Sequence, residues 1–231
     1  MNTQFISQLF YSTSTISNSI ALSIFVIAVG SCGTTNPRHS HNTNIAVLQD
    51  SLLVDSDGNR YPVKELLDNS LWMTTNLKLN IPDSYCYDNA EDNCDRYGRL
   101  YTWETAQKGC ALLGKGWRLP TNAEWRQLAT LYGGVPKDSV ENRKKAYQAL
   151  IETGKSLFNA SLGGGRDLNG QYRRLEAHGF YWTATENDSR TAWFSNFGKN
   201  SQSLYHQNEG EKTDAFSVRC VKLKRTKNST D

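Results

Sequence analysis

The sequence predicts an α+β fold with two to three helices, several short strands and long irregular loops. Three observations predict it. Apolar residues recur at helical spacing in the stretch 97–153, and short runs rich in aromatic and β-branched residues fill 180–223. A glycine-rich segment lies between them. The six Trp and eleven Tyr can bury large areas, so they can hold together a loop-rich domain.

A β-hairpin is expected at the start of the domain. In "IAVLQDSLLVDSDGNRYPV", which begins at residue 45, two apolar runs flank the turn dipeptide Asp57-Gly58. The next apolar run, "LWMTTNLKL", predicts a further strand or extended segment. We therefore expect one domain over residues 45–224.

The first helix and the third helix are predicted by apolar spacing. The first has an apolar stripe at i, i+3, i+7 and i+10, formed by Trp103, Ala106, Cys110 and Leu113. This stripe directs the Cys110 thiol toward the core. The third is expected over 139–153, with inward residues Val140, Tyr147, Leu150 and Ile151.

The second helix begins in "GWRLPTNAEWRQL", residues 116–128, which contains two tryptophans and a helix start. Thr121-x-x-Glu124 is a capping box, in which each side chain bonds the other residue's backbone N–H. The apolar face then consists of Trp125, Leu128, Ala129 and Tyr132. Because Glu124 occupies position N3 of the capping box, we interpret it as structural rather than as a catalytic acid.

From Phe158 onward the pattern changes to loops and strands. Three consecutive glycines and Asn169-Gly170 exclude a regular helix there, and the Lys-Ser/Thr of a phosphate loop is missing. Candidate strands follow at "FYWTAT", "TAWFSNF", "QSLYHQ" and "AFSVRCVKL". In the last, Phe216, Val218 and Cys220 alternate onto one inward face.

The N-terminus predicts export with a lipid anchor. The apolar run 20–29 ends in Val29-Gly30-Ser31-Cys32, which resembles a bacterial lipobox, although no Lys or Arg precedes the run. We expect a lipoprotein signal peptide over 1–31, a lipidated Cys32, and a polar tether over 32–44. The alternative is an ordinary cleaved signal or a short anchor helix. The expected location is the bacterial cell envelope, as an outer-membrane lipoprotein facing the periplasm or the surface.

The charge distribution argues against nucleic-acid binding, so we expect no nucleic-acid partner. The net charge is only +3, and the basic residues are scattered apart from "KLKRTK" near the end of the chain. We interpret residues 225–231 as a disordered basic tail. The expected membrane contact is therefore the lipid on Cys32.

The number of cysteines fits an exported, lipid-anchored protein. Of five cysteines, Cys32 is assigned to lipid, and the remaining four permit three disulfide pairings. Cys86 and Cys94 flank "YDNAEDN", a polar loop suited to a local bridge, which would leave Cys110 to join a helix to Cys220 in the last strand. A zinc site is a weaker alternative, because no C-x-x-C pair exists and the histidines do not cluster with the thiols.

The motifs "DGNRYPVKEL", "LWMTTNL", "YGRLYTW", "GWRLPTNAEW", "GGGRDLNG", "FYWTATE" and "FSVRCVKL" resemble the Fibrobacter succinogenes major paralogous domain over residues 57–223. "RLPTNAEW" is also similar to formylglycine-generating-enzyme relatives. The resemblance implies a C-type-lectin-like fold, with two helices packed on a small, twisted antiparallel sheet. It also implies the Cys110–Cys220 link and an exported, lipid-anchored setting.

The function expected from these features is non-catalytic binding of a glycan or a protein. Lectin-like folds place ligand contacts on the long loop and nearby strands, here 159–210, and the candidate ligand-binding residues are Arg166, Asp167, Asn169, Asp188, Trp193, Asn196 and Glu209. The alternative interpretation makes Trp182 and Trp193 core aromatics and the acids solvated loop residues. Oxygen-rich side chains also fit Ca²⁺, but the triplet of calcium-dependent lectins is absent, so no cofactor is expected.

The sequence leaves two alternative functions. An envelope assembly or adhesin subunit would carry the same anchor and tether. An oxidase of the formylglycine-generating type would need paired reactive cysteines late in the domain, and the C-terminal half contains only Cys220. No nucleophilic triad, metal-ligating histidine cluster or nucleotide loop supplies another mechanism, so we do not expect an enzyme.

Overall fold

The computed structural model describes residues 51–224, and over this range it confirms the α+β class. The expected signal peptide, Cys32 with its tether, the first six residues of the expected domain and the basic tail lie outside the described residues. Among the described residues, no helix has the length and apolar character needed to cross a membrane.

The strands are β1 (Ser51–Val54), β2 (Arg60–Glu65), β3 (Ser70–Met73), β4 (Ser84–Tyr85), β5 (Leu100–Tyr101), β6 (Gly165–Arg166), β7 (Tyr172–Arg173), β8 (His178–Glu186), β9 (Thr191–Gly198), β10 (Ser203–Glu211) and β11 (Val221–Leu223). The α-helices are α1 (Glu91–Tyr97), α2 (Trp103–Leu112), α3 (Asn122–Leu131) and α4 (Val140–Leu150), and a 3₁₀ turn covers Tyr87–Asn89.

The strands form two main antiparallel sheets rather than the single small sheet expected. One has the order β1-β2-β3-β11 and the other the order β10-β9-β8, while β4-β5 and β6-β7 are two-stranded ribbons. The expected nine-residue last strand is divided. Only 221–223 pair with β3, whereas residues 215–217 make isolated bridges to Arg166, Tyr101 and Tyr181. The segment 215–220 is therefore enclosed on both faces.

The hairpin and the capping box form as the sequence predicts. β1 pairs with β2 around Gly58, whose φ is +82°. In α3 the Thr121 hydroxyl accepts from the Glu124 backbone N–H, and the Glu124 carboxylate accepts from the Thr121 backbone N–H. That carboxylate also pairs with Arg118. Burial alone would raise the pKa of Glu124, but the hydrogen bonds from Arg118 and Thr121 hold this pKa below its usual value.

Two expectations about helices are wrong. Val140, expected inward, is 62% exposed because α4 begins there, directly after its capping residue Ser139, and the buried face of α4 starts at Ala146. The segment between Cys86 and Cys94, expected as a loop, contains the 3₁₀ turn and the start of α1. Glu91 and Asp92 in the first turn of α1 favour this helix through its dipole. The described residues thus contain four α-helices, not two to three.

The tryptophans of the 116–128 stretch belong to the core. Trp125 is fully buried and meets Trp72 and Phe158 edge-on, with both ring centroids 5.4 Å away. Trp117 is also buried, in the neighbouring cluster that contains Trp182 and Phe216. The stretch is therefore a brace between elements, as the capping box indicated.

Both disulfides are present. Cys110 of α2 is bonded to Cys220 beside β11, and both residues are fully buried. This bond closes a separation of 110 residues, whereas Cys86–Cys94 closes a separation of 8. The long closure removes much conformational entropy from the unfolded chain.

Candidate functional site

The triple glycine shapes the region in which ligand contacts were expected. Gly164 has φ +64°, and a Cβ there would lie 2.5 Å from the Arg173 carbonyl oxygen. A Cβ on Gly165 would lie 3.0 Å from the Phe216 ring. The glycines therefore let the β6–β7 ribbon lie against β8 and the 215–217 segment. The glycines serve the close approach of backbone segments rather than phosphate binding.

A cleft of about 160 Å³ opens where the ribbon meets β8. We call it the ribbon cleft. Its walls combine guanidinium groups, carboxylates and phenyl rings, and they consist of Gly165, Arg166, Asp167, Arg173, Arg174, Phe180, Asp214 and Phe216. The ring centroids of Phe180 and Phe216 lie 5.1 Å apart, and the two rings give the cleft an apolar side.

Arg166 is a cation of this cleft that has no carboxylate partner and is held by aromatic rings. Its guanidinium lies 4.0 Å from the centroid of the Tyr85 ring, a cation–π contact, and 5.9 Å from that of Tyr172. Within residues 51–224, no carboxylate oxygen lies within 4.0 Å of it. Gly170 leaves room for it, because a Cβ there would be 2.9 Å from Nη2. The aromatic contact fixes the plane of the guanidinium while most of its donors stay available.

Asp214 is the carboxylate of the cleft that carries an unusual proton affinity. Its Oδ1 accepts one hydrogen bond, 3.0 Å from the Leu168 backbone nitrogen. Burial raises the pKa of Asp214 to about 6, and the nearby charges of Asp167 and Glu211 act in the same direction. Asp214 therefore changes charge close to neutral pH.

Asp167 and Asn169 build the ribbon turn. Asp167 Oδ1 accepts from the backbone N–H groups of Asn169 and Gln171, and Oδ2 accepts from Arg173 Nε at 2.9 Å. These bonds, first of all that from Gln171, hold the pKa of Asp167 below its usual value. Asp167 is thus committed to the turn, in contrast to Asp214.

Asn196 belongs to a line of polar side chains that crosses β8, β9 and β10. Its Oδ1 is 2.9 Å from His178 Nδ1, and its Nδ2 donates to Gln207 Oε1 at 2.8 Å. Gln207 in turn donates to Glu209. At the other end His178 stacks on Phe180, with ring centroids 5.4 Å apart. The line therefore connects the ribbon cleft to Glu209.

The two remaining candidates lie away from the ribbon cleft. Asp188 accepts from the backbone N–H groups of Arg190 and Thr191 at 2.8 Å each, so it stabilises the β8–β9 turn. These bonds hold the pKa of Asp188 below its usual value. Trp193 lies in β9 and is partly exposed, whereas Trp182 is fully buried. Of the two tryptophans, only Trp182 is a buried core residue.

The candidate oxygens do not converge on a metal-like geometry. Within the described part of the chain, the one close group of three metal-type donors is Cys86, Glu91 and Cys94. Both sulfurs of that group are joined in the disulfide. The candidate acids instead accept hydrogen bonds from backbone and side-chain N–H groups.

Sequence reasoning named Arg166 and Asp167 but missed the other side chains of the ribbon cleft and the tyrosine under Arg166: Arg173, Arg174, Phe180, Asp214, Phe216 and Tyr85. Tyr85 lies 81 positions before Arg166, and no local pattern joins them. The alternation in "FSVRCV" placed Phe216 in the core, where one side of its ring does pack. The triple glycine was the one sequence signal that segments of the backbone approach closely here.

Residues 54–222 match the model of the Fibrobacter succinogenes major domain, which covers more than half of the chain. The family expected from the motifs is thereby confirmed. Searches among curated proteins and among solved structures gave no match.

Proposed function

We propose that this chain, a member of the Fibrobacter succinogenes major domain family, is a lipid-anchored cell-envelope protein whose domain binds a glycan without catalysis. The observation that carries the proposal is the ribbon cleft. There a stacked guanidinium without a carboxylate partner, a half-buried carboxylate and two phenyl rings line one small opening. These three kinds of group are complementary to the hydroxyls and the C–H face of a sugar.

The division of roles follows from donor and acceptor chemistry. Arg166 offers N–H donors to sugar hydroxyl oxygens, and ionised Asp214 accepts from hydroxyl hydrogens. Phe180 and Phe216 pack against the C–H face. The volume, about 160 Å³, is below the roughly 300 Å³ at which drug-sized pockets begin, so we expect one terminal sugar unit to enter.

An array of neutral glycans, probed with the oxidised full chain at pH 7.5, tests this proposal. Arg166→Met should weaken binding of the best glycan by about tenfold, because a hydrogen bond to a charged group contributes about 1.5 kcal/mol or more. The matched control is Arg190→Met, since Arg190 is exposed and lies outside the ribbon cleft. Absence of binding across the array, or equal affinity of Arg166→Met and wild type, would contradict the proposal.

The state of the cysteines argues against one catalytic alternative, the oxidase. All four cysteines of residues 51–224 are paired, so this range offers no free thiol for an oxidase of the formylglycine-generating type. A thiol titration of the unfolded, unreduced chain checks this directly. Labelling of any of the four would revive the oxidase.

The envelope address is proposed from Val29-Gly30-Ser31-Cys32. Metabolic labelling with radioactive palmitate should mark the wild-type chain in the outer-membrane fraction, and Cys32→Ala should remove the label. Persistent labelling of Cys32→Ala would refute the lipid anchor alone.

The proposed C-type-lectin-like fold is supported by the Cys110–Cys220 bond, which ties α2 to the last strand.

An assembly subunit is a second candidate function, favoured by β1. This strand lies at the edge of its sheet, and no described strand pairs with its outer side. It exposes Leu52 and Val54, which are 51% and 50% accessible. Open edge strands accept a strand from another chain. If assembly is the function, Val54→Lys should abolish copurification of the partner while leaving glycan binding unchanged.

A further inference from the structure

A separate groove lies outside the ribbon cleft. It consists of two adjoining clefts of about 470 Å³ each, which share Arg96, Tyr97, Glu152 and Ser161. We call it the Ser161 groove. None of its lining residues lines the ribbon cleft. Each half falls in the size range of roughly 300–1,000 Å³ typical of ligand sites.

Positive charge exceeds negative charge in this groove. The cations are Arg60, Lys78, Arg96, Lys199 and Arg219, and the carboxylates are Asp95, Glu152 and Glu176. Two carboxylates are already paired, Asp95 with Lys78 at 3.3 Å and Glu176 with Arg96 at 3.0 Å. For Arg60, Lys199 and Arg219, no carboxylate oxygen of residues 51–224 lies within 4.0 Å. Unpaired cations therefore occur in both halves.

Arg219 is the buried member of this set. Its guanidinium donates to the carbonyl oxygens of Met73, Phe158 and Asn159 and to Asn76 Oδ1, at 2.5–3.1 Å. All four acceptors are neutral. A fully buried cation with no carboxylate in contact is costly, and burial lowers the pKa of Arg219, while Tyr181 and the more distant charge of Glu152 act in the opposite direction. An anion in the adjoining groove would offset this cost.

A chain of hydrogen bonds carries the influence of Arg219 to the groove surface. Asn76 accepts from Arg219 Nε at 2.5 Å, and its Nδ2 donates to Ser161 Oγ at 3.0 Å. Ser161 is half-buried, and within the described residues its hydroxyl donates to no acceptor. Each bond polarises the next, so the Ser161 hydroxyl is a strengthened donor that faces a cationic groove.

We propose that the Ser161 groove binds an acidic polysaccharide, with one carboxylate or sulfate accepting from the Ser161 hydroxyl. Arg60 and Lys199, one in each half of the groove, attract further acidic groups of the polysaccharide. A polysaccharide is favoured over an acidic peptide because the walls carry hydroxyl and amide side chains, among them Thr75, Thr153 and Asn159. This site does not depend on the function proposed for the ribbon cleft.

The test measures affinity of the oxidised full chain for three soluble probes: oligogalacturonate, sulfated dextran and unmodified dextran. Both acidic probes should bind, with affinity that falls as salt rises, and unmodified dextran should not bind in the groove. Binding of one acidic probe alone would identify the acidic group as carboxylate or sulfate. Equal binding of unmodified dextran, or tighter binding of polyglutamate, would overturn the proposal.

Variants locate the site. Ser161→Ala should weaken acidic-probe binding by about tenfold, and Arg60→Met with Lys199→Met should weaken it at least as much. The surface control Lys115→Met lies outside the groove and should change affinity less than about twofold. Because Ser161 accepts from Asn76, the double variant of exposed cations keeps the test decisive if Ser161→Ala unfolds. Unchanged affinity of the double variant would refute the groove, whereas Arg166→Met should leave acidic-probe binding intact.

Discussion

Arg219 and Arg166 lie in two regions that treat the same side chain in opposite ways. Both guanidinium groups lie over an aromatic ring, that of Phe158 at 4.8 Å and that of Tyr85 at 4.0 Å. In the core region, Arg219 is fully buried and bonded to four neutral oxygens. In the ribbon region, the partly exposed Arg166 donates to no carbonyl or carboxylate of residues 51–224. Saturated donors therefore indicate a structural arginine, and available donors indicate a binding arginine.

The two disulfides should give the largest contrast between the regions. Replacing Cys110 and Cys220 with Ala should lower the free energy of unfolding by about 4–5 kcal/mol, because the bond closes a long loop beside Arg219. Replacing Cys86 and Cys94, which lie beside Tyr85, should cost about 2–3 kcal/mol. Urea unfolding of both double variants measures the difference. Equal losses would show that the core region is not the more constrained of the two.

Gly164→Ala should break the ribbon region selectively. The substitution forces a left-handed φ on alanine and brings its Cβ within 2.5 Å of the Arg173 carbonyl oxygen, so we expect a loss of about 2–3 kcal/mol. Gly58→Ala is the matched control, because Gly58 also has positive φ but has no atom within 4 Å of its Cβ position. We expect about 1 kcal/mol there. Thermal unfolding checks both, and similar losses would contradict the close approach of the ribbon.

The sheet β8–β10 should lose stability on acidification because of His206, a partly buried residue of β10. Burial lowers the pKa of His206 to about 4, and the charges of Arg126 and Arg143 lower it further while Asp138 opposes them. The unfolded state therefore binds the proton more tightly, and stability falls as pH drops below 6.5 and levels off near 4. Between pH 7 and pH 5 we expect a loss of about 2 kcal/mol.

His206→Gln is the control for this pH dependence, since the amide does not titrate. Urea unfolding at several pH values should show a flatter profile for this variant than for wild type. An unchanged slope would mean that another group causes the loss.

Asp214 should give the opposite sign in the ribbon region, with the smallest effect. The pKa of Asp214 is about 6 in the folded chain, above its ordinary value of 3.8, so its charged form costs stability above pH 6. That cost is relieved as pH falls from 6 toward 3.8. Asp214→Asn should therefore stabilise the chain at pH 7.5 by less than about 1 kcal/mol, because solvent screens this half-buried group. Destabilisation at pH 7.5 would contradict the assigned pKa.

The sequence predicted the framework well where local chemistry decides structure. The Thr121–Glu124 capping box and the apolar stripe that ends at Cys110 are short-range patterns, and both are present. The disulfide Cys110–Cys220 was one of three permitted pairings, favoured by the local loop between Cys86 and Cys94 and by the inward faces of Cys110 and Cys220, and implied by the family resemblance. The capping box and the apolar stripe need only a few neighbouring residues to be specified.

The sequence did not predict how Arg219 and Arg166 are packed. Alternation in "FSVRCV" places Arg219 on the outer face of a strand, but the segment is enclosed on both faces. Arg166 was named as a candidate, yet its contact with Tyr85 joins segments with no shared pattern. Both depend on tertiary packing, which local periodicity does not encode.

The most direct test compares the free energies of unfolding of Arg219→Met and Arg166→Met in urea at pH 7.5. We predict a loss of roughly 3–5 kcal/mol for Arg219→Met, because four oxygens bonded to a fully buried guanidinium lose their donor. For Arg166→Met we predict a loss of less than about 1 kcal/mol, the value of a surface cation–π contact. Equal losses, or a larger loss for Arg166→Met, would contradict the assignment of one arginine to the core and the other to ligand binding.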